Sequence, residues 1–135
     1  MLLGGKAPER AELGRGCYVE PTVVRAKADA RVSREEVFGP FVTVTTFRDD
    51  EEAIAIANGT AYGLSSGVCT NRLDYITRFV SELHVGTVNV REVPGYRLEL
   101  TPFGGIKDSG LGYKEGVQEA MKSYTNLKTF SLPWS

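Results

Sequence analysis

FVTVTTFRDDEEAIAIANG, Phe41–Gly59, changes pattern part-way along. Its first seven residues are rich in Val and Thr, whose branched side chains suit a pleated strand. Asp49 and Asp50 then offer a helix cap, and Glu51 and Glu52 place negative charge at the positive end of the helix dipole. Ala53, Ile54 and Ala57 recur at helical spacing, and Asn58-Gly59 is a stop signal. Downstream, Leu64–Thr70 predicts a second strand. Asn71–Leu83 predicts a second helix, with Leu73, Ile76, Phe79, Val80 and Leu83 on one face. Gly86–Val90 predicts a third strand. Strand, helix, strand, helix, strand at these lengths predicts an α/β fold, a parallel three-layer βαβ sheet with right-handed crossovers.

The flanks read differently. Upstream, Gly4-Gly5 and the polar run Lys6–Gly16 form a loop that enters the strand CYVEPTVV, where Pro21 marks an edge or an end. Ala26–Arg31 is a polar connection. EEVFGP, Glu35–Pro40, is a turn before the Phe41 strand, with Gly39 free in backbone conformation and Pro40 fixed in φ. Downstream, Arg91–Gly116 is an irregular, glycine-rich segment that lacks both phosphate-loop spacings, GxxxxGK[ST] and GxGxxG. Glycine at that density calls for close backbone approach or positive φ, as in a tightly wound loop beside a pocket. A last helix, Val117–Ser123, leads into NLKTFSLPWS, which reads as a terminal strand anchored by Phe130 and Trp134. That strand either docks on the chain's own core or pairs with another chain.

At 135 residues and 41% hydrophobic, the chain is long enough for one domain with a real core. A net charge of −1 gives no reason to expect nucleic acid or an anionic membrane as partner. No apolar run approaches the roughly 20 residues of a spanning helix. The start, MLLGGKAPER, lacks a signal-peptide pattern. Two distant cysteines and a single histidine, His84, argue against a Cys/His metal site. These features fit a soluble protein of a reducing cytoplasm.

EEVFGP together with PFGGIKDSGLG resembles the NAD(P)-dependent aldehyde dehydrogenase superfamily, supported by GCYVEPTVV, AIAIANGTAYGLSSGV and GTVNV in the same order. The resemblance covers essentially the whole chain and is to the C-terminal part of such an enzyme. It implies that residues 1–124 belong to the catalytic domain and that 125–135 form an oligomerisation strand. It also implies that Glu36 binds the ribose of the nicotinamide half of the cofactor, NAD or NADP, and that Phe38 packs beside the nicotinamide ring. A carboxylate suits a ribose diol, and an aromatic wall orients a planar ring. Phe103, in PFGG, matches the aromatic that lines the aldehyde tunnel. The stretch GTVNVREVPGYRLELTPFGGIKDSGLGYKEG with the MKSYTNLKTFSLPW ending is most similar to phosphonoacetaldehyde dehydrogenases, within a wider group with an RxExxPFGG or RxDxxPFGG loop that includes lactaldehyde-type and non-phosphorylating glyceraldehyde-phosphate enzymes. Arg97 would there meet an anionic or oxygenated aldehyde. Its other reading is a loop-holding pair with Glu99 or Glu92.

The family's cysteine nucleophile, water-activating glutamate, oxyanion-hole asparagine and Rossmann domain have no match here. Cys17 and Cys69 read as buried small hydrophobes, not nucleophiles. His84 reads as a helix C-cap, Lys107 as a structural lysine tying down carbonyls, and Glu115 as a helix-capping carboxylate. The expectation is a chain without catalytic residues or a metal, inactive alone and without tight cofactor binding. It would be a homo-oligomer, or complemented by an N-terminal aldehyde dehydrogenase chain. The alternative is a stand-alone self-associating or regulatory module.

Overall fold

Thr22–Arg25 (β1) and Phe41–Val44 (β2) pair in parallel, with Thr22 opposite Phe41 and Arg25 opposite Val44. They belong to the first of two compact units, Met1–Ile56 and Ala57–Ser135, in a computed structural model that describes residues 1–133. β1 begins only after Pro21, which has no N–H to give; pairing starts with the Thr22 N–H, which donates to the Pro40 carbonyl at 2.8 Å. Leu3 adds an antiparallel bridge to Val23. The buried Thr22 hydroxyl is fully used: it accepts the Gly5 N–H at 2.9 Å and donates to the Glu20 carbonyl at 2.8 Å. The polar run upstream holds a short 3-10 turn, Ala11–Leu13, and the connection between the strands ends in a single helical turn, α1 (Arg31–Arg34).

α2 (Asp50–Asn58) starts as its acidic sequence predicts. The Glu52 N–H donates to Asp49 Oδ1 at 2.9 Å, while Glu52 Oε2 accepts the Arg48 backbone N–H at 2.7 Å and its Nε at 3.0 Å. Asp49 thus takes up one open donor of the helix start and Glu52 takes up the N–H one residue before Asp49, a variation on the capping box. The hydrogen bond from the Arg48 side chain holds the Glu52 carboxyl below the usual carboxylate range.

In the second unit, Ser65–Val68 (β4) and Thr87–Val90 (β5) pair in parallel, joined by helix α3 (Leu73–Glu82). This is the expected βαβ unit. The glycine-rich segment is more ordered than its composition suggests. Phe103–Lys107 (β6) and Gly112–Glu115 (β7) form an antiparallel hairpin, and Tyr62–Gly63 (β3) pairs on its other edge in the order β3-β6-β7. Close approach explains the glycines: a Cβ on Gly104 would lie 2.0 Å from the Gly112 carbonyl oxygen. Helix α4 (Val117–Ser123) follows with the predicted bounds.

One side chain ties two helix ends together. Asn58 Nδ2 donates to the Glu82 carbonyl at 2.8 Å, and its Oδ1 accepts the His84 N–H at 2.7 Å. The cap on α3 is therefore supplied by Asn58, with His84 contributing its backbone. Lys107 Nζ donates to the carbonyls of Asn58 at 3.0 Å and Thr60 at 3.2 Å, the structural use expected of it.

The real core anticipated from composition is small. Among the described residues the buried large apolar side chains are Ile54 and Leu83. On the apolar face of α3, Ile76 and Phe79 are half-buried, whereas Leu73 is 75% exposed. Parallel strand pairs bury both faces only when helices cover both, and the helices here have ten residues at most. Residues 125–133 make no strand within the chain, and Leu127, Phe130 and Leu132 are exposed. Trp134 lies outside the described residues.

Candidate functional site

In the first unit, the stretch Glu35–Pro40 is the turn its sequence predicts. The Phe41 N–H donates to the Gly39 carbonyl at 2.8 Å, and Pro40 holds the Thr22 amide. Glu35 closes α1 and pairs with Arg31 at 2.7 Å. Glu36 is exposed, and Phe38 keeps 94% of its surface in water. That exposure excludes a core role for Phe38. A carboxylate and an uncovered ring two positions apart are groups that fit a ribose diol and the face of a planar base.

In the second unit, Arg97, Phe103 and Glu115 come together. Phe103 and Glu115 are cross-strand partners at the open end of the β6–β7 hairpin, where the register shifts between Phe103 and Gly104. The Arg97 guanidinium lies 4.9 Å from the Phe103 ring centroid and makes an ion pair with Glu115. The predicted pairing with Glu99 or Glu92 is thus replaced by one with Glu115. The helix-capping role expected of Glu115 is replaced as well, because α4 begins at Val117 with Gly116 as its cap.

The loop holding Arg97 is pinned to the hairpin's end. The Val117 N–H donates to the Glu99 carbonyl at 3.2 Å. Gly116 has φ +91°, and a Cβ there would meet the Thr101 carbonyl oxygen at 2.7 Å, so only glycine fits. Loop, hairpin end and α4 border a half-open cavity of about 430 Å³, lined by Arg97, Glu99, Thr101, Phe103, Glu115 and Val117 among others. Its polar groups are one guanidinium, two carboxylates and a hydroxyl beside one aromatic ring. Such a wall can orient a small polar ligand. Glu115 is the member that sequence reasoning missed, since GYKE gives no sign that it is a strand returning to Phe103.

A second cavity, about 360 Å³, lies at the carboxyl ends of β4 and β5 and is lined by Cys69, Thr70, Asn71 and Arg91. Cys69 and Cys17 are both exposed, which corrects the expectation that they are buried hydrophobes. Cys69 follows the last residue of β4, and Cys17 lies in the irregular segment between the 3-10 turn and β1, so neither is inside a paired strand. No group of three potential metal-ligating side chains is found among the described residues. No helix of the described residues is long and apolar enough to cross a membrane.

The aldehyde dehydrogenase family model matches residues 1–130. The chain is 40% identical to betaine aldehyde dehydrogenase of Bacillus subtilis, over 97% of this chain and 28% of that protein. It is 44% identical to aminoacetaldehyde dehydrogenase of Pseudomonas aeruginosa, over 84% of this chain and 23% of that protein. The crystal structure of PnpE from Pseudomonas sp. WBC-3 superposes with a TM-score of 0.84 at 44% identity, covering 96% of this chain and 28% of PnpE. Another structure of PnpE is a complex with nicotinamide adenine dinucleotide. The chain belongs to the aldehyde dehydrogenase family, and it spans about a quarter of the length of the curated relatives it matches.

Proposed function

We propose that this chain is the C-terminal portion of an NAD(P)-dependent aldehyde dehydrogenase acting on a small anionic or oxygenated aldehyde such as phosphonoacetaldehyde. The observation that carries the substrate reading is the Arg97 guanidinium on the wall of the Phe103 cavity. A planar fork of N–H donors matches the oxygens of a phosphonate or carboxylate, and the aromatic ring beside it packs on the short carbon chain. Glu36 would hold the nicotinamide ribose and Phe38 the nicotinamide face. The bound dinucleotide would supply the hydride acceptor: an aldehyde and water become an acid while NAD(P)⁺ becomes NAD(P)H and a proton is released. A thiol nucleophile would come from a segment not in this chain, so we propose no catalytic residue here.

On this reading residues 1–124 are part of the catalytic domain. Residues 125–135 are an oligomerisation strand that pairs with a second copy, and a complementing N-terminal chain would restore the site in a cytoplasmic enzyme. The 135 residues alone have no aldehyde-dependent NADH production, and they bind NAD no better than roughly millimolar, near 4 kcal/mol. Calorimetry and an absorbance assay on the same sample test this. Micromolar NAD affinity, or turnover abolished by changing Cys17 or Cys69, overturns it. The exposed Leu127, Phe130 and Leu132 favour a second reading, a self-associating or regulatory module. An inactive oligomer that no upstream chain activates would select it.

A further inference from the structure

Resting on the reading of Arg97 as the contact for an anionic group, we infer that Glu115 is a competing counter-ion that sets how strongly the Phe103 cavity prefers anions. Three observations lead there. Arg97 is ion-paired with Glu115 on the cavity wall. Its guanidinium carbon lies 4.9 Å from the Phe103 ring centroid, so the ring occupies one side of the cation and acceptors compete for the sides left open. Phe103 and Glu115 are register partners in one hairpin, so both contacts are fixed by the same strand pairing.

The cavity wall carries Arg97, Glu99 and Glu115, a formal sum of one positive and two negative charges. An incoming phosphonate or carboxylate therefore meets a guanidinium that is neutralised by its neighbour. It binds by taking Glu115's place on Arg97, leaving that carboxylate to water. Both side chains are about half exposed, 52% for Arg97 and 51% for Glu115. The exchange therefore runs between solvated states and its cost is modest. An uncharged aldehyde makes no such exchange. Glu115 thus lowers affinity for anionic ligands selectively, while keeping Arg97 in position when the cavity is empty.

The test titrates phosphonoacetate, and its uncharged trimethyl ester as control, into the full chain and its variants, read by NMR shifts. Glu115→Gln should tighten phosphonoacetate about fivefold, as expected for removing one half-exposed ion pair, and leave the ester unchanged. Glu115→Asp should restore the original preference. Arg97→Gln should abolish the preference in either background. Glu99→Gln separates displacement from a general field: if it matches Glu115→Gln, the counter-ion role is overturned. Arg97-dependent binding that ignores Glu115 overturns the counter-ion role alone. Binding indifferent to Arg97 in every variant overturns the anion reading as well. A double-mutant cycle for Arg97 and Glu115 on the urea midpoint supplies a ligand-free check; zero coupling overturns the pair itself.

Discussion

Among the described residues, two that are not glycine have positive φ, Arg91 at 60° and Lys107 at 51°, and the chain uses them differently. An L-residue in that region carries a cost of about 1–2 kcal/mol from its Cβ. Lys107 offsets it with two hydrogen bonds from its ammonium to the Asn58 and Thr60 carbonyls. Arg91, just beyond β5, uses its backbone N–H to extend the β4 pairing to the Val68 carbonyl at 2.8 Å, and any residue could do that. Arg91→Asn should therefore raise stability by about 0.5–1 kcal/mol, because Asn tolerates this conformation. Lys107→Asn should lower stability despite relieving the same strain. Urea midpoints of the two variants should move in opposite directions. The lysine's tie to carbonyls was legible as a structural role for a long cation in a tightly wound loop. The sign of a backbone angle at Arg91 was not, since arginine is not a residue whose presence signals positive φ. Arg97's partner was hidden for another reason: Glu115 is 18 positions away, and only the hairpin brings it near.

Among the elements, the hydrophobic period located β2, α2, β4, α3, β5 and α4, and capping chemistry placed the start of α2. It missed the two-residue β3, and it missed β6 and β7 because FGGIK and GYKE lack the branched and aromatic density by which a strand announces itself. They are strands for a different reason, the absence of side chains where backbones meet. Gly104→Ala tests this. A methyl there meets the Gly112 carbonyl oxygen at 2.0 Å, so the hairpin must open, at a cost of about 2–3 kcal/mol. Gly95→Ala, with nothing within 4 Å of the new carbon, should change stability by less than about 0.5 kcal/mol. If both alanines are equally tolerated in thermal melts, the hairpin register is wrong.

For the whole molecule, the accessible surface is 10943 Å². Two independent domains of these sizes would together expose only about 8,400 Å², so roughly 2,500 Å² stands in excess. Association surfaces of obligate complexes begin at about 2,000 Å². The composition could not reveal this, because the fraction of apolar residues says nothing of whether they cover one another. The isolated chain should therefore run above its monomer mass in light scattering, at micromolar concentration and with reductant present to exclude disulfides through Cys17 and Cys69. A strict monomer would mean that the exposed apolar surface is tolerated in water. The β3–β6 pairing has a further consequence during synthesis. Tyr62–Gly63 joins Ile106–Lys107, about 45 residues later in the chain. At translation rates of about 5–20 residues per second, β3 leaves the ribosome some 2–9 s before its partner. Throughout that interval the nascent chain carries a strand with an open edge, and a chaperone or neighbouring chain can reach that edge before β6 does.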